Sequence, residues 1–194
     1  RNSPARNMRL IKNLKHTPVE SPWMNYHDKF YKEVASAEDT NRFKSIIELI
    51  KPYTPKTVLD VAGNSGAFSI ELVKNIKQLE NVYCCDCDHN ALERLYKLLK
   101  ENGNPLSDTI TPLFLNIVYP SRTYLEKRYA RLKSDVVCAL ALTHHLILSQ
   151  YIEIEFFFSE LKEYAKKAVI VEFMPLGLYG GGSTPKIPDW YTLD

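Results

Sequence analysis

From residue 57 onward, short runs of apolar residues alternate with stretches whose apolar residues recur every three or four positions. The first pattern suits strands buried on both faces and the second suits amphipathic helices. Their regular alternation predicts an α/β fold, a Rossmann-like, doubly wound, mainly parallel sheet with helices on both faces. The runs at 57–62, 82–87, 110–117, 135–142 and 167–173 read as five strands. Residues 66–78, 88–102, 124–132 and 152–165 read as the intervening helices. In the second of these, Asp88 is placed to cap the N-terminus, Leu92, Leu95, Tyr96 and Leu99 form the apolar stripe, and Gly103 supplies the stop. The near-continuous apolar run at 135–142 suggests a central strand. Ahead of the sheet, Asp39 or Thr40 can cap a helix through Ile50 that carries Phe43, Ile46, Ile47 and Ile50 on one face. The expected organisation is a basic and aromatic leader over 1–38 and one domain over 39–194.

One junction in this pattern carries chemistry. Val58, Leu59, Asp60 and Val61 run straight into Ala62-Gly63-Asn64-Ser65-Gly66, and Ala67, Phe68 and Ser69 open the next helix. Gly63 and Gly66 carry no Cβ, so the chain can reverse tightly and bring its N–H groups close to a ligand. About twenty residues further on, the second strand delivers Asp86, where an acid of this kind binds the two hydroxyls of an adenosine ribose. A glycine turn alone is an ordinary strand-to-helix connection; with an acid at the end of the next strand it becomes a nucleotide-cofactor fingerprint. A dinucleotide needs Gly-x-Gly-x-x-Gly to seat its pyrophosphate, and here Ala62 and Asn64 stand before and between the glycines. Asp60, ahead of the turn, can organise loop N–H groups and face the cationic amino end of a methionine moiety. S-adenosylmethionine is therefore the expected cofactor, with an NAD-dependent oxidoreductase as the weaker rival.

The segment from Asp60 to Gly66 resembles motif I of the class I S-adenosylmethionine-dependent methyltransferases, with Asn64 in place of the usual central glycine. Asn is among the few residues that tolerate positive φ. The resemblance implies a cofactor over the C-terminal ends of the first three strands. Asp60, Gly63 and Gly66 would surround its methionine end, Asp86 its ribose, and Asn116 with Ile117 its adenine; Ala62, Asn64, Phe68, Cys87 and Leu140 complete the implied cofactor set. Together with 139–146 and Val171-Glu172-Phe173-Met174-Pro175, the motif is similar to the bacterial methyltransferases related to nodulation protein NoeA. That similarity extends over roughly residues 20–194, including the aromatic stretch at 23–26. Asn116 stands where many relatives have Asp, so it can pair with the adenine amine or cap a loop. The antiparallel hairpin that ends a typical relative is not evident after Phe173, so the sheet is expected to be truncated or short.

Two further segments hold groups that could act on an acceptor. Thr143-His144-His145-Leu146 follows the fourth strand, whose C-terminal end should open onto the reactive methyl. An imidazole there can take a proton from a hydroxyl near neutral pH, or the pair can line the pocket and pack the following helix. His145, one step further into the loop, is favoured over His144 as the base. Glu172 lies in an apolar strand, where a carboxylate is costly to bury unless paired. It is expected to face the cleft or a partner such as one of the histidines, as a base, a substrate-orienting group or a structural group.

Cys84, Cys85, Cys87 and Cys138 read as small buried thiols rather than metal ligands, because neighbours in a strand point to opposite faces. No metal is expected. Over 194 residues, 45% hydrophobic and 25% charged content is ordinary for a globular chain, and no apolar run approaches a membrane span. With no apolar leader at the start, a cytoplasmic location is expected. Arg1, Arg6, Arg9, Lys12 and Lys15 precede the first acid, Glu20, so the net charge of +2 hides a basic arm on an acidic remainder. Nucleic-acid binding is not supported beyond that arm, since the body lacks a basic stripe. The expected activity is methyl transfer to a hydroxyl or amine on a small molecule or glycan. A non-catalytic S-adenosylmethionine-binding or partner-binding module is the rival from another class.

Overall fold

The computed structural model describes residues 21, 37–101, 103–118 and 125–177. Helix α1 (Ala37–Ile50) and a 3-10 turn (Lys51–Tyr53) precede the alternating part. There follow β1 (Thr57–Val61), α2 (Ala67–Asn75), β2 (Asn81–Asp86), α3 (His89–Leu99), β3 (Ile110–Phe114), α4 (Leu125–Leu132), β4 (Ser134–Ala139), α5 (Ile154–Tyr164) and β5 (Ala165–Val171). All neighbouring strands pair in parallel, in the order β3-β2-β1-β4-β5. The chain steps outward from β1 through β2 to β3, then returns to the other side of β1. The strand order therefore reverses between β1 and β4, and a crevice opens beyond their carboxyl ends.

Side chains alternate across the sheet with the period of two that strands impose. Val58, Cys84, Val136 and Cys138 face one layer, where Phe43, Ile46, Ile47 and Ile50 of α1 pack with α2 and α3. Leu59, Val61, Val137 and Ala139 face the other, against Phe157, Leu161 and Tyr164 of α5. The apolar stripe of α1 is the one expected, and its ring contact with α2 (Phe43 to Phe68, 5.3 Å between centroids) anchors the helix beside the glycine turn. All six residues of β4 are buried, in keeping with its interior place. No helix among the described residues is long and apolar enough to cross a membrane.

Several expected boundaries move. Helix α1 begins at Ala37, so Asp39 and Thr40 lie within its first turn instead of capping it, and the helix crosses the expected division at 38/39. Asp88 does cap α3, its Oδ1 accepting from the N–H groups of Asn90 (2.9 Å) and Ala91 (3.3 Å). The strands at 57–62, 110–117, 135–142 and 167–173 each end two or three residues early or, for the first, one. In three of the four, the apolar residues beyond the ends include cavity lining: Ala62, Leu115, Ile117, Leu140 and Leu142. Cys84, Cys85 and Cys138 are buried thiols, but Cys87 lies just past β2 and is exposed. The aromatic stretch at 23–27 and the glycines at 180–182 lie outside the described residues.

Candidate functional site

A cavity of about 360 Å³ opens at the carboxyl ends of the strands, walled by the segments that follow β1, β2, β3 and β4 and by α1. After Val61 the chain enters left-handed backbone at once: φ is 57° at Ala62, 51° at Asn64 and 83° at Gly66. Asn64 thus adopts the positive φ that its side chain tolerates. Ala62 does so at a cost of roughly 1–2 kcal/mol, the kind of strain that clusters at functional sites. A Cβ on Gly63 would stand 2.7 Å from both Asp60 Oδ2 and Cys84 Sγ, so only glycine lets the turn lie down on the Asp60 carboxylate. Gly66 serves differently from the expectation. It is not among the residues that line the cavity, and a Cβ there would meet the Leu95 side chain at 2.8 Å. Its role is to seat α2 against α3.

Two carboxylates stand side by side beneath this turn. Asp60 is 2% exposed and accepts a hydrogen bond from Ser69 Oγ at 2.6 Å. Burial pushes its pKa up to about 7, with the neighbouring Asp86 charge adding to the rise and Ser69 opposing it. Asp86 is also buried, and burial likewise raises its pKa against the hydrogen bonds it accepts. Its Oδ2 accepts from the Asn64 N–H and its Oδ1 from the Asp88 N–H, both at 2.8 Å. Organising the loop, a task expected of Asp60, therefore falls to Asp86. Beyond β3, Asn116 Oδ1 accepts from the Val118 N–H (3.1 Å), so Asn116 closes its loop, and both it and Ile117 line the cavity. Ala62, Phe68, Cys87 and Leu140 line it as well.

The opposite wall rises from β4. Ala141 sits at φ 48°, and a single π-helical turn, His145–Ser149, follows. Such turns are rare and recur at functional sites. His145, Leu146, Ser149 and Gln150 of this region line the cavity; His144 does not. The two imidazoles are 4.0 Å apart. Burial lowers both pKa values; for His144 the His145 charge adds to this and Glu172 opposes it. Glu172 does not itself line the cavity, and its side chain bonds Arg42 and Ala141 rather than a histidine. Its carboxylate is gripped by Arg42, Nε to Oε1 and Nη2 to Oε2, each at 2.6 Å, and Oε2 also accepts from the Ala141 N–H at 2.9 Å. Arg42, which the sequence reading passed over, lines the cavity itself. The signal for it was faint: it stands four residues before Ile46, on the flank of the apolar stripe of α1. Ser149 and Gln150 were also missed, because a π-turn leaves no periodic trace.

No group of three or more His, Cys, Asp or Glu side chains that could hold a metal occurs among the described residues. No protein-family model matches the chain. The chain is 25% identical over 162 residues to nodulation protein NoeA of Rhizobium meliloti (strain 1021), a match covering 80% of this chain and 32% of NoeA. It thus spans about a third of the length of that relative. Among solved structures, the methyltransferase domain of bacterial CtHen1 superimposes with a TM-score of 0.54 at 20% identity, over 67% of this chain and 63% of that one. A putative caffeoyl-CoA O-methyltransferase from Staphylococcus aureus gives 0.55 at 13% identity, over 90% and 72%. A putative O-methyltransferase from Nostoc punctiforme PCC 73102 gives 0.54 at 17%, over 77% and 40%. The sheet and its helices have the Rossmann-like fold of these methyltransferases, and the chain is a sequence relative of NoeA.

Proposed function

We propose that this chain is an S-adenosylmethionine-dependent methyltransferase domain acting on a hydroxyl or amine. The observation that carries the reading is the pair Asp60 and Asp86: two buried carboxylates at the ends of adjacent strands, under a strained turn, on one wall of a cavity with an imidazole on the other. The donor set fits the cofactor. Asp60, its pKa pushed up to about 7 by burial and by the Asp86 charge, would take the methionine ammonium as its counter-ion. Asp86 accepts from the backbone at Asn64 and Asp88, with the Cys87 N–H also acting on it, and a carboxylate has about four acceptor sites, which leaves room for a ribose hydroxyl. Gly63 and Asn64 would flank the methionine end, and Ile117 and Asn116 the adenine. When bound, the cofactor supplies an already activated methyl group.

The chain's own part is then positioning and proton removal. Burial lowers the His145 pKa and so favours its neutral form, and it lines the wall opposite the carboxylates, so it is the base for a hydroxyl acceptor. His144 packs behind it. Leu140, Leu142 and Leu146, with Ser149 and Gln150 as uncharged polar groups, suit a small molecule or a glycan with a neutral hydroxyl. Calorimetry with S-adenosylmethionine and with NAD tests the cofactor. Asp86→Ala should weaken S-adenosylmethionine by about a hundredfold or more, since hydrogen bonds to a charged group contribute ~1.5–3 kcal/mol each. Binding of NAD alone, or an Asp86→Ala protein with parental affinity, would sink the reading. Labelled donor incubated with cell extract, followed by mass spectrometry, would identify the acceptor.

A further inference from the structure

Glu172 reaches Arg42 because of strand geometry. Its N–H bonds the Ala139 carbonyl (3.1 Å), continuing the β4 to β5 ladder one residue past Val171. Ile170 packs in the layer that contains α1 and Val171 in the opposite layer, so alternation returns the Glu172 side chain to the α1 side. There one carboxylate joins three elements: α1 through Arg42, β5 through its own backbone, and the segment after β4 through Ala141.

We propose that Arg42 and Glu172 are a positioning pair that sets the acceptor wall of the cavity by holding Ala141 in its left-handed conformation and, through it, the turn that carries His145. This rests on reading the cavity as a methyltransferase site. A residue with a Cβ keeps φ 48° only when its surroundings offset the strain. The offset at Ala141 is a charge-assisted hydrogen bond from its N–H to a carboxylate, stronger than a neutral one. The next residue, Leu142, presents the carbonyl that accepts from the N–H groups of His145 (3.0 Å) and Leu146 (3.2 Å), and Ile152 N–H closes the turn onto the Leu146 carbonyl (3.0 Å). Tyr151, at φ 55°, is a second left-handed residue at the far end. The turn is thus bracketed by two strained residues, and the first is pinned by Glu172. Bidentate pairing orients the carboxylate. With its side chains 27% and 18% exposed, the pair is shielded enough to be more than a solvated surface contact. Because Arg42 and Ala141 hold the carboxylate and Glu172 does not line the cavity, its part is to aim other groups rather than to take a proton from an acceptor.

The test is amide exchange and ring resonances by NMR on the full chain, in the parent and in Glu172→Gln, Arg42→Leu and Arg42→Lys, with S-adenosylhomocysteine as the probe of the donor wall. In Glu172→Gln and Arg42→Leu, the Ala141 amide should exchange about ten- to a hundredfold faster, the change that follows from losing a bond to a charged group. The His145 ring resonances should move, the amides within the β4 to β5 ladder should keep their protection, and in Glu172→Gln, whose residue does not line the cavity, S-adenosylhomocysteine affinity should change less than about threefold. Arg42→Lys, which keeps the charge, should recover part of the Ala141 protection. Parental Ala141 exchange and His145 resonances in Glu172→Gln would overturn the proposal. So would an equal loss of protection at Ala141 and along the ladder, which is what general support of the fold produces. If the parent does not bind S-adenosylhomocysteine, the methyltransferase reading fails, while the Ala141 exchange still decides whether the pair holds the turn.

Discussion

The two walls of the cavity differ in how far along the chain they reach for their partners. On the β1 and β2 side, Asp60 bonds Ser69, nine residues away, and Asp86 bonds Asp88 and Asn64, two and 22 residues away. On the β4 side, Ala141 bonds Glu172 across 31 residues, and Glu172 bonds Arg42 across 130. The first wall is one strand-turn-helix-strand unit whose two carboxylates find their hydrogen bonds within it. The second brings together α1, the segment after β4 and the residue after β5. A local unit can be read as a motif; a wall assembled from distant pieces offers none. On the proposed reading, the difference also separates two tasks: the first wall would hold the donor and the second would meet the acceptor.

The strongest attempt to break this division is His145→Ala. If the β4 wall does the proton chemistry, turnover with the identified acceptor should fall by about 10²–10⁴-fold while donor affinity stays nearly intact. The loss should be partly relieved at high pH for a hydroxyl acceptor. Unchanged turnover in both His145→Ala and His144→Ala, with only a lower melting temperature, would reduce the histidines to packing.

Next in size is the pH behaviour of Asp60. If the ligand's ammonium pairs with the ionised carboxylate, affinity should rise about tenfold from pH 5.5 to 7, through the pKa near 7 and below the range where the ligand's own amine loses its proton. Calorimetry across that window on the parent and Asp60→Asn checks it, and an equal slope in both would refute it. Stability runs the other way. A carboxyl whose folded pKa lies above its unfolded value near 3.8 contributes stability that is present below about pH 4 and lost as pH rises through 7. Asp60→Asn should therefore melt higher than the parent above pH 7, by an amount on the order of a few kcal/mol, and match it at pH 4, while binding the donor poorly.

The smallest effect sharpens the division within the first wall. Gly66→Ala should cost about 1–3 kcal/mol of stability, from positive φ and the clash with Leu95, yet leave donor affinity within about threefold once folded. Thermal melts beside calorimetry would show it, and a large affinity loss without destabilisation would return Gly66 to the binding surface.

Much of the fold was legible because its signals are local. Five apolar runs became five parallel strands, Asp88 became a cap, and the stripe of α1 faced the core. The strand ends were overdrawn because an apolar residue reports removal from water, not a place in a ladder. Leu115, Ile117, Leu140 and Leu142 are apolar as cavity lining, past the ends of their strands. Of the site, Asp60 and Asp86 were readable because a turn and a strand fix their places, whereas Arg42 was not, since its meaning comes from a residue 130 positions later. Glu172 was rightly seen to need a partner, but burial cost names no partner, and arginine on the first helix had no cue linking it to the last strand.

The 130-residue span of the Arg42 to Glu172 pair also orders events on the ribosome. A domain generally folds as a unit, but its N-terminal segments are synthesised first. The two carboxylates and their turn are in hand once β2 has been made, while the His145 turn waits for β5 to dock and bring Glu172 beside Ala141. On the proposed reading, a nascent chain would have made the carboxylates of the donor wall well before the residue that completes the wall for the acceptor.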